Sequence, residues 1–276
     1  MLFFPQPPTH PLDHHIEISE GSCGLEGELE NDASLAEMIG GHAESLHVHD
    51  ASTNGSMSAG YLRPLKWCRM ERCPNIDTVF SPKVDTFWAS HLLMARCIWN
   101  KGSRWQPEDS FRSLQHLHLR SCPRLQFVLP VWIPSFPSLK TLHIIHCAYL
   151  THIFVLDEEY PEEIGVHGLP FPKLTTIHLH DLPKLKQISE VKMLAPALET
   201  IKIQGCFGLR GLPTVAARKP GVEKPIVEME KDVWDSLEWD GLTADHHPDL
   251  FEPPVHSRYY RWSRVLRGSV LRYVRS

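Results

Sequence analysis

One spacing of apolar residues recurs along this chain of 276 residues and constrains its fold more than any other feature. Residues 111–128 read FRSLQHLHLRSCPRLQFV, with apolar side chains 0, 3, 5, 8, 11 and 14 positions from Leu114. The same six offsets recur elsewhere, so that five copies begin at Leu65, Leu114, Leu139, Leu174 and Leu198. A degraded copy places Leu46 and Val48 at the second and third offsets. Units that repeat in this way must stack to bury their apolar edges, which predicts a solenoid.

Within a copy, the second and third offsets alternate as Leu117 and Leu119 do, which predicts a short strand with both side chains directed into the core. The fourth offset holds cysteine in four copies, and proline follows it in Cys73-Pro74, Cys122-Pro123 and Leu182-Pro183. Because proline interrupts helices, unrelated amphipathic helices do not explain the pattern. We therefore predict the α/β fold of an irregular leucine-rich-repeat solenoid, with a short parallel sheet on its concave face and helical or loop insertions.

The interval between copies is uneven, which places insertions between strands. One predicted insertion is acidic, at 156–168, and another is aromatic, at 87–105. After the repeats, we expect Trp234, Leu237 and Trp239 to cover the apolar edge of the last copy. The predicted organisation is a disordered segment at 1–41, the solenoid at 42–213, a capping segment at 214–257 and a basic tail at 258–276.

The residues beside the buried leucines should form columns on the concave sheet, about 4.8 Å apart from strand to strand. These columns are polar, basic and rich in histidine, so the face could dock an acidic or neutral protein surface. Trp67 and Arg120 are candidate anchors, because tryptophan and arginine are over-represented among interface hot spots. Each position could equally be an ordinary solvated one. The candidate protein-binding residues are Trp67, Arg69, His116, His118, Arg120, His143, His178, His180 and Lys202.

The sequence lacks the motifs of common catalytic and nucleotide-binding sites, namely GxxxxGK[ST], GxSxG, HExxH and a GxGxxG after a strand. We therefore predict no enzymatic activity, no catalytic residue and no cofactor. His118, His143 and His178 invite a metal hypothesis, but no carboxylate or thiol partner is identifiable on their strands, so no metal site is expected. A thiol nucleophile is not expected either, because the repeat directs four cysteines into the core.

Charge and apolar content limit the kinds of partner. A formal net charge of −5 provides no global basic field, so no nucleic-acid partner is predicted. No apolar run is long enough to span a membrane, and membrane contact is not expected even from the basic tail. The odd number of cysteines, seven, argues against a disulfide framework and favours a reducing, cytoplasmic location.

The chain resembles the C-terminal leucine-rich-repeat region of plant nucleotide-binding leucine-rich-repeat disease-resistance proteins, especially those of cereals. The resemblance covers about residues 42–262 and rests on stretches such as ESLHVHD, LKWCRMERCPNIDTVF, LQHLHLRSCPRLQFVLP, FPKLTTIHLHDLPKLKQI and EKDVWDSLEWDG. It implies a protein-protein recognition module of an intracellular immune receptor, which binds a pathogen effector or a guarded host protein. In a full-length receptor, the nucleotide-binding domain would be a further partner.

The nucleotide-binding domain of such receptors is absent from these 276 residues, so we expect no nucleotide switching by this chain itself. A truncated decoy or regulator is therefore one alternative. Another is the substrate adaptor of a ubiquitin ligase, which would need an F-box-like helical segment that residues 1–41 do not offer. A receptor ectodomain would need a signal peptide and a membrane span, and neither is recognised.

Overall fold

The computed structural model of the chain describes the residues that carry the repeats. The described ranges are 14–19, 43–51, 65–75, 84–99, 111–131, 136–156, 168–215, 223–240 and 246–252. Within them, nine parallel strands form one sheet whose order follows the chain. These strands are β1 (His15–Ser19), β2 (Ser45–His49), β3 (Leu65–Glu71), β4 (Val84–Ser90), β5 (His116–Arg120), β7 (Thr141–Ile145), β10 (Thr176–His180), β13 (Thr200–Gln204) and β14 (Ile226–Glu228).

Neighbouring strands pair so that equivalent residues of successive copies lie side by side. Leu117 is the partner of Leu142, and Leu142 is the partner of Ile177. These three side chains point into the core and are 0% exposed. Burial of apolar surface stabilises by roughly 25 cal/mol for each Å² removed from water, so every stacked pair adds to one continuous core. The predicted leucine-rich-repeat solenoid with a parallel sheet is confirmed.

Two smaller parallel sheets follow the turns of the main sheet. One contains β6 (Leu129–Val131), β8 (His152–Leu156) and β11 (Gln187–Ser189), and the other contains β9 (Leu169–Pro170) and β12 (Met193–Leu194). Among the described residues, the only helices are α1 (Lys231–Trp234) and a 3-10 turn (Pro248–Leu250). The copies are therefore joined by strands and turns in these ranges, and the predicted helical insertions do not occur there. No helix within the ranges is long and apolar enough to cross a membrane.

A row of phenylalanine rings links successive repeats inside the core. Phe111, Phe136 and Phe171 each lie three residues before the first offset of a copy, and all are 0% exposed. The ring centroids are 5.7 Å apart for Phe111 and Phe136, and 4.9 Å apart for Phe136 and Phe171, which stack face to face. Aromatic pairs at such separations add about 0.5–1.5 kcal/mol beyond their burial, so the row holds adjacent repeats together.

A tight turn ends each repeat strand, and a thiol supports it in several copies. The residue just before the fourth offset has a positive φ, in Asp50, Arg72, His91, Ser121, His146, Asp181 and Gly205. The thiol that follows donates a hydrogen bond to the carbonyl oxygen two residues earlier, as Cys122 does to Arg120 at 3.5 Å and Cys147 to Ile145 at 3.6 Å. Cysteine therefore fills the core and ties the turn to the end of the strand.

The described cysteines are free and buried, as the repeat predicts. They are Cys68, Cys73, Cys97, Cys122, Cys147 and Cys206. Burial raises the pKa of Cys68 and of Cys206 to about 12, which keeps both thiols protonated and unreactive at neutral pH. Cys23 lies outside the described residues.

The prediction of an aromatic insertion at 87–105 is wrong for residues 87–99, which belong to a further copy of the repeat. Its six offsets are occupied by Val84, Phe87, Ala89, Leu92, Ala95 and Ile98, all of them buried. Phe87 and Ala89 take the places of the two inward leucines of β4. A large ring and a small methyl replace the two leucines, and the Phe87 ring packs 5.0 Å from the buried Trp99 ring, so the strand is packed although the leucine pattern is lost.

The prediction of disorder for residues 1–41 is also wrong in part, because β1 lies within that segment. Ile16 and Ile18 pair with Leu46 and Val48 of the degraded copy and pack against the core, which gives this strand its inward side. The strand assignment of the degraded copy, β2, is confirmed. Residues 1–13 and 20–42 lie outside the described residues, as do the acidic insertion at 157–167 and the basic tail.

At the other end, β14 extends the sheet by pairing with β13. The structure puts Leu237, Trp234 and Trp239 against the core here, and the two tryptophan rings lie 5.3 Å apart in an edge-to-face arrangement. Phe251 lies 5.8 Å from the Trp239 ring and is 1% exposed. This aromatic cluster covers apolar surface that the last repeat would otherwise expose.

We expect Ile177→Asp to unfold the repeats around β10, whereas Thr176→Asp should leave them folded. Ile177 is buried in the core, while Thr176 is partly exposed on the opposite side of the same strand. A buried carboxylate without a partner should lower the free energy of unfolding by on the order of 4 kcal/mol. Thermal melts followed by circular dichroism measure the difference. Equal melting temperatures for the two variants would contradict this assignment of the faces.

We expect the native chain to resist thiol reagents. At pH 8, at most one of the seven thiols should react with an aromatic disulfide reagent, because six are buried and two of these have a pKa of about 12. After denaturation in guanidinium, all seven should react. Rapid reaction of two or more thiols in the native protein would show that the cysteine turns open readily.

Candidate protein-binding face

The outer face is the side of the nine-stranded sheet that points away from the core. Because side chains alternate along a strand, a five-residue strand presents its first, third and fifth residues there, and the pairing aligns them in three columns. The central column contains Glu17, His47, Arg69, Trp88, His118, His143, His178, Lys202 and Glu228.

All of the sequence-predicted binding residues lie on this outer face. Arg69, His118, His143, His178 and Lys202 are in the central column, Trp67 and His116 in one flanking column, and Arg120 and His180 in the other. The structure differs from the predicted columns at one step, where Trp88 of β4 separates Arg69 from His118. The cause is the β4 copy, which the leucine pattern does not reveal.

The four rings at the middle of the central column form a continuous stack, here named the ring ladder: Trp88, His118, His143 and His178. The Trp88 and His118 rings stack at 4.2 Å with an interplanar angle of 24°, and those of His143 and His178 at 4.2 Å and 18°. The central step, from His118 to His143, is an edge contact at 5.5 Å. Trp88, His118 and His143 are 7%, 4% and 3% exposed, so the ladder is packed into the sheet surface.

This packing keeps the histidines of the ladder uncharged. Burial, together with the neighbouring His116, lowers the pKa of His118 to about 3. Burial and the adjacent histidines likewise lower the pKa of His143 to about 3 and that of His178 to about 4. Protonation of one ring would place a cation in a poorly solvated stack, which is unfavourable. At neutral pH the ladder is therefore a neutral aromatic surface.

Apart from its histidines, the outer face is balanced in charge. Arg69 donates a hydrogen bond to Glu71 at 2.7 Å, and the Lys202 ammonium lies 3.2 Å from Glu228. Across the three columns there are three carboxylates and three cations, namely Glu17, Glu71 and Glu228 against Arg69, Arg120 and Lys202. The predicted basic character of the face is therefore wrong, because the histidines of the ladder carry no charge and the cations are matched.

The two predicted anchors differ in what they present to solvent. Trp67 is only 9% exposed, and its ring lies edge-on to His47 with centroids 6.2 Å apart. Arg120 is exposed at the end of β5, directly beside the ring ladder. Of the two, only Arg120 offers a side chain that a partner could enclose on binding.

A second exposed feature, here named the edge row, lies just after the cysteine turns: Leu93, Met94, Arg124, Tyr149, Lys184 and Phe207. Leu93, Tyr149 and Phe207 are 51%, 54% and 54% exposed, which is unusual for such large apolar side chains. Lys184 places its ammonium 3.7 Å from the centre of the Tyr149 ring, a cation–π contact. The edge row could have been identified from the sequence, because each of its residues lies one or two positions after the fourth offset of a copy.

The sequence comparisons agree with this geometry. Residues 88–219 match the model of a family described as plant disease resistance protein RPS2-like, leucine-rich repeats. The match begins at Trp88 and extends beyond β13, so it includes the whole ring ladder. Over these residues, the chain is similar to the leucine-rich repeats of plant disease-resistance proteins.

Related resistance proteins come from Arabidopsis thaliana. Disease resistance protein SUMM2 is 28% identical over 169 residues, which are 60% of this chain and 18% of SUMM2. Disease resistance protein RPS5 is 28% identical over 131 residues, which are 47% of this chain and 14% of RPS5. The chain thus spans less than a fifth of the length of these relatives. No solved structure matches it.

These resistance-type repeats favour the receptor interpretation over the ubiquitin-ligase adaptor, because the relatives are resistance proteins. The particular resemblance to cereal members stays a prediction. The same holds for the expected absence of catalytic residues, of a cofactor and of a metal site.

We expect the stability of the repeats to fall as the pH is lowered from about 6.5 towards 4.5. The unfolded chain takes up protons on His118 and His143 near pH 6.5, whereas the folded chain does so only near pH 3. The free energy of unfolding should therefore decrease by about 2–3 kcal/mol for each buried ring between pH 7 and pH 4.5. The variant His143→Phe keeps a ring in the ladder but removes one titrating group. Its free energy of unfolding should therefore decrease less on acidification, by the amount expected for one buried histidine. Urea denaturation at pH 7 and at pH 4.5 measures this, and identical decreases for both proteins would refute the buried, neutral ladder.

Proposed function

We propose that the outer face is the protein-recognition surface of an intracellular plant immune receptor and that the chain acts in the cytoplasm. Its partner is a pathogen effector or a guarded host protein, and in a full-length receptor the nucleotide-binding domain as well. The observation that carries this proposal is the ring ladder at the centre of the outer face.

The ring ladder and its surroundings have the distribution of groups that protein interfaces favour. The cores of interfaces are poor in charge and rich in aromatic groups, while their rims are polar and include arginine. In this chain, neutral rings occupy the centre, and Arg120 and Lys202 flank it. His118 and His143 are buried in this stack, which disfavours their charged form and keeps the centre of the face neutral.

The outer face is also ordered before any partner arrives. The ladder rings hold one another in place, and Arg69 and Lys202 are fixed by Glu71 and Glu228. Association loses side-chain freedom at an interface, typically about 0.5–1.5 kcal/mol for each flexible side chain that becomes immobilised. Prior ordering reduces this loss, so a partner of matching shape would bind more tightly than it would to a mobile surface.

The balance of charge on the outer face bears on the chemistry of the partner. Because the outer face has three carboxylates and three cations, it has no strong positive field to attract an acidic protein. A neutral, polar surface with an apolar centre is the better complement to the ring ladder. Arg120, exposed beside the ring ladder, is the charged side chain that such a partner would meet first.

Two properties support a binding role over an enzymatic one. A general base for neutral pH needs a pKa near 7, whereas His118 and His143 have a pKa of about 3. The described thiols are buried, which makes them poor nucleophiles. Six free thiols are also consistent with the reducing conditions of the cytoplasm.

The edge row is the second candidate surface. Its large apolar groups alternate with Arg124 and Lys184, so it suits a partner element with both apolar and acidic side chains. Exposed apolar residues clustered in this way mark interaction sites in many proteins.

Single variants on the two surfaces identify the one that binds. We expect Arg120→Glu to reduce recovery of the chain's specific plant-cell partner roughly tenfold or more, as truncation of an interface hot spot does. The control Lys186→Glu, an exposed residue before β11 of a smaller sheet, should recover that partner as the unchanged chain does. Quantitative proximity labelling in plant cells measures both, with melting temperatures confirming equal folding. If Arg120→Glu has no effect and Tyr149→Ser abolishes recovery, the edge row and not the outer face is the binding surface.

A further inference from the structure

Three side chains with metal-ligating atoms meet at the first two strands of the outer face. Glu17 of β1 is the register partner of His47 on β2, and His49 follows two residues later on the same side of β2. The Glu17 Oε1 atom lies 2.9 Å from His49 Nε2 and 3.6 Å from His47 Nδ1. All three ligand atoms lie within 4.8 Å of one another.

These separations match the size of a tetrahedral metal centre. Zinc binds imidazole nitrogen and carboxylate oxygen at about 2.0–2.2 Å, which places pairs of ligand atoms roughly 3.4 Å apart. The two separations that involve Glu17 fall on either side of that value. Only small side-chain rotations would bring an ion into contact with all three groups.

Each imidazole also has a carboxylate at its other nitrogen. His49 Nδ1 lies 2.8 Å from Asp50 Oδ2, and His47 Nε2 lies 3.4 Å from Glu71 Oε2. Metal-binding histidines usually have such a partner, which fixes the tautomer and orients the ring towards the ion. His49 has such a hydrogen-bonded partner in Asp50, whereas Glu71 lies near His47 Nε2 without a hydrogen bond to it.

The outer carboxylates are themselves held in place. Asp50 accepts two hydrogen bonds of 2.6 Å from the Arg72 guanidinium. Glu71 accepts hydrogen bonds from Arg69 at 2.7 Å and from Ser90 at 2.9 Å. Strands β1 and β2 therefore supply the three inner ligands, and residues of β3 and β4 help to hold the outer carboxylate of Glu71 in place.

We propose that Glu17, His47 and His49 bind one divalent zinc-type ion on the outer face. Glu17 supplies Oε1, His47 supplies Nδ1 and His49 supplies Nε2, and the fourth position is open to water. The two nitrogen atoms and one oxygen atom suit zinc, which accepts mixed nitrogen and oxygen ligands in a tetrahedral arrangement. The expectation of no metal site concerned His118, His143 and His178, whereas these ligands come from other strands and include the carboxylate of β1.

A second group, of His146, His180 and Asp181, has similar atoms but less support. Its rings approach one oxygen of Asp181, at 3.1 and 3.4 Å, as those of the first group approach one oxygen of Glu17. The difference is that the His146 side chain is 46% exposed, whereas His47 and His49 are 18% and 21% exposed. His180 is in hydrogen-bonding contact with the Gln204 amide, not with a second carboxylate. This group provides a matched control, because a histidine can be removed from it by the same kind of substitution.

The test is calorimetric titration of the 276-residue chain with zinc chloride, together with visible absorption after addition of cobalt(II). We expect one tightest site, whose affinity falls at least tenfold in His49→Ala and in Glu17→Gln. Asp50→Asn, which alters only an outer carboxylate, should weaken binding about 10- to 100-fold. The control His146→Ala should leave this site unchanged. Tetrahedral cobalt bands should appear with the unchanged chain and be lost in His49→Ala.

Thermal melts without metal show whether each variant is folded, and Glu17→Gln keeps the shape of the side chain so that its folding is secure. With the unchanged chain, zinc should raise the melting temperature, and this rise should be absent in Glu17→Gln. The proposal is overturned if zinc does not bind, if His49→Ala and Glu17→Gln bind as tightly as the unchanged chain, or if only His146→Ala loses the site. In the last case, the metal-binding group is the one around Asp181.

Discussion

The in-register stacking of parallel strands is the constraint from which the other features of this structure follow. Each copy of the repeat contributes two inward side chains, and these are buried only because the equivalent pair of the next copy lies beside them. The turns that follow the strands begin with a residue at positive φ, and in four copies a thiol ties the turn back to the strand. The row of phenylalanines couples neighbouring copies from inside.

The same register determines the chemistry of the outer face. Once successive histidines occupy equivalent positions, their rings are brought within stacking distance, and burial lowers the pKa of the ladder histidines to between about 3 and 4. A pattern that looks basic in the sequence thereby becomes a neutral aromatic surface. At the first strands, the register instead brings a glutamate beside two histidines, and the result is a group with the geometry of a metal centre.

Much of the fold could be predicted from the sequence, because leucine, isoleucine and cysteine recur at fixed offsets and need few other assumptions. The copy at β4 was not predicted because Phe87 and Ala89 replace two leucines, and the contact that packs Phe87 comes from Trp99, which lies outside the leucine pattern. The strand β1 was not predicted, because one pair of isoleucines is too short a pattern to identify a repeat. The positions of the candidate residues on one face followed from alternation, but their protonation did not, since it depends mainly on burial by neighbouring strands that the alternation pattern does not measure.

Nitrogen-15 NMR of the histidine side chains, recorded between pH 7.5 and pH 5, tests the central claim most directly, because it reports the protonation of each ring separately. The account predicts that His118, His143 and His178 keep the nitrogen shifts of neutral imidazole at pH 5. Protonation of these three rings near pH 6.5, as in a solvated peptide, would contradict the account, because the outer face would then lack the buried neutral ladder on which the proposed recognition surface depends.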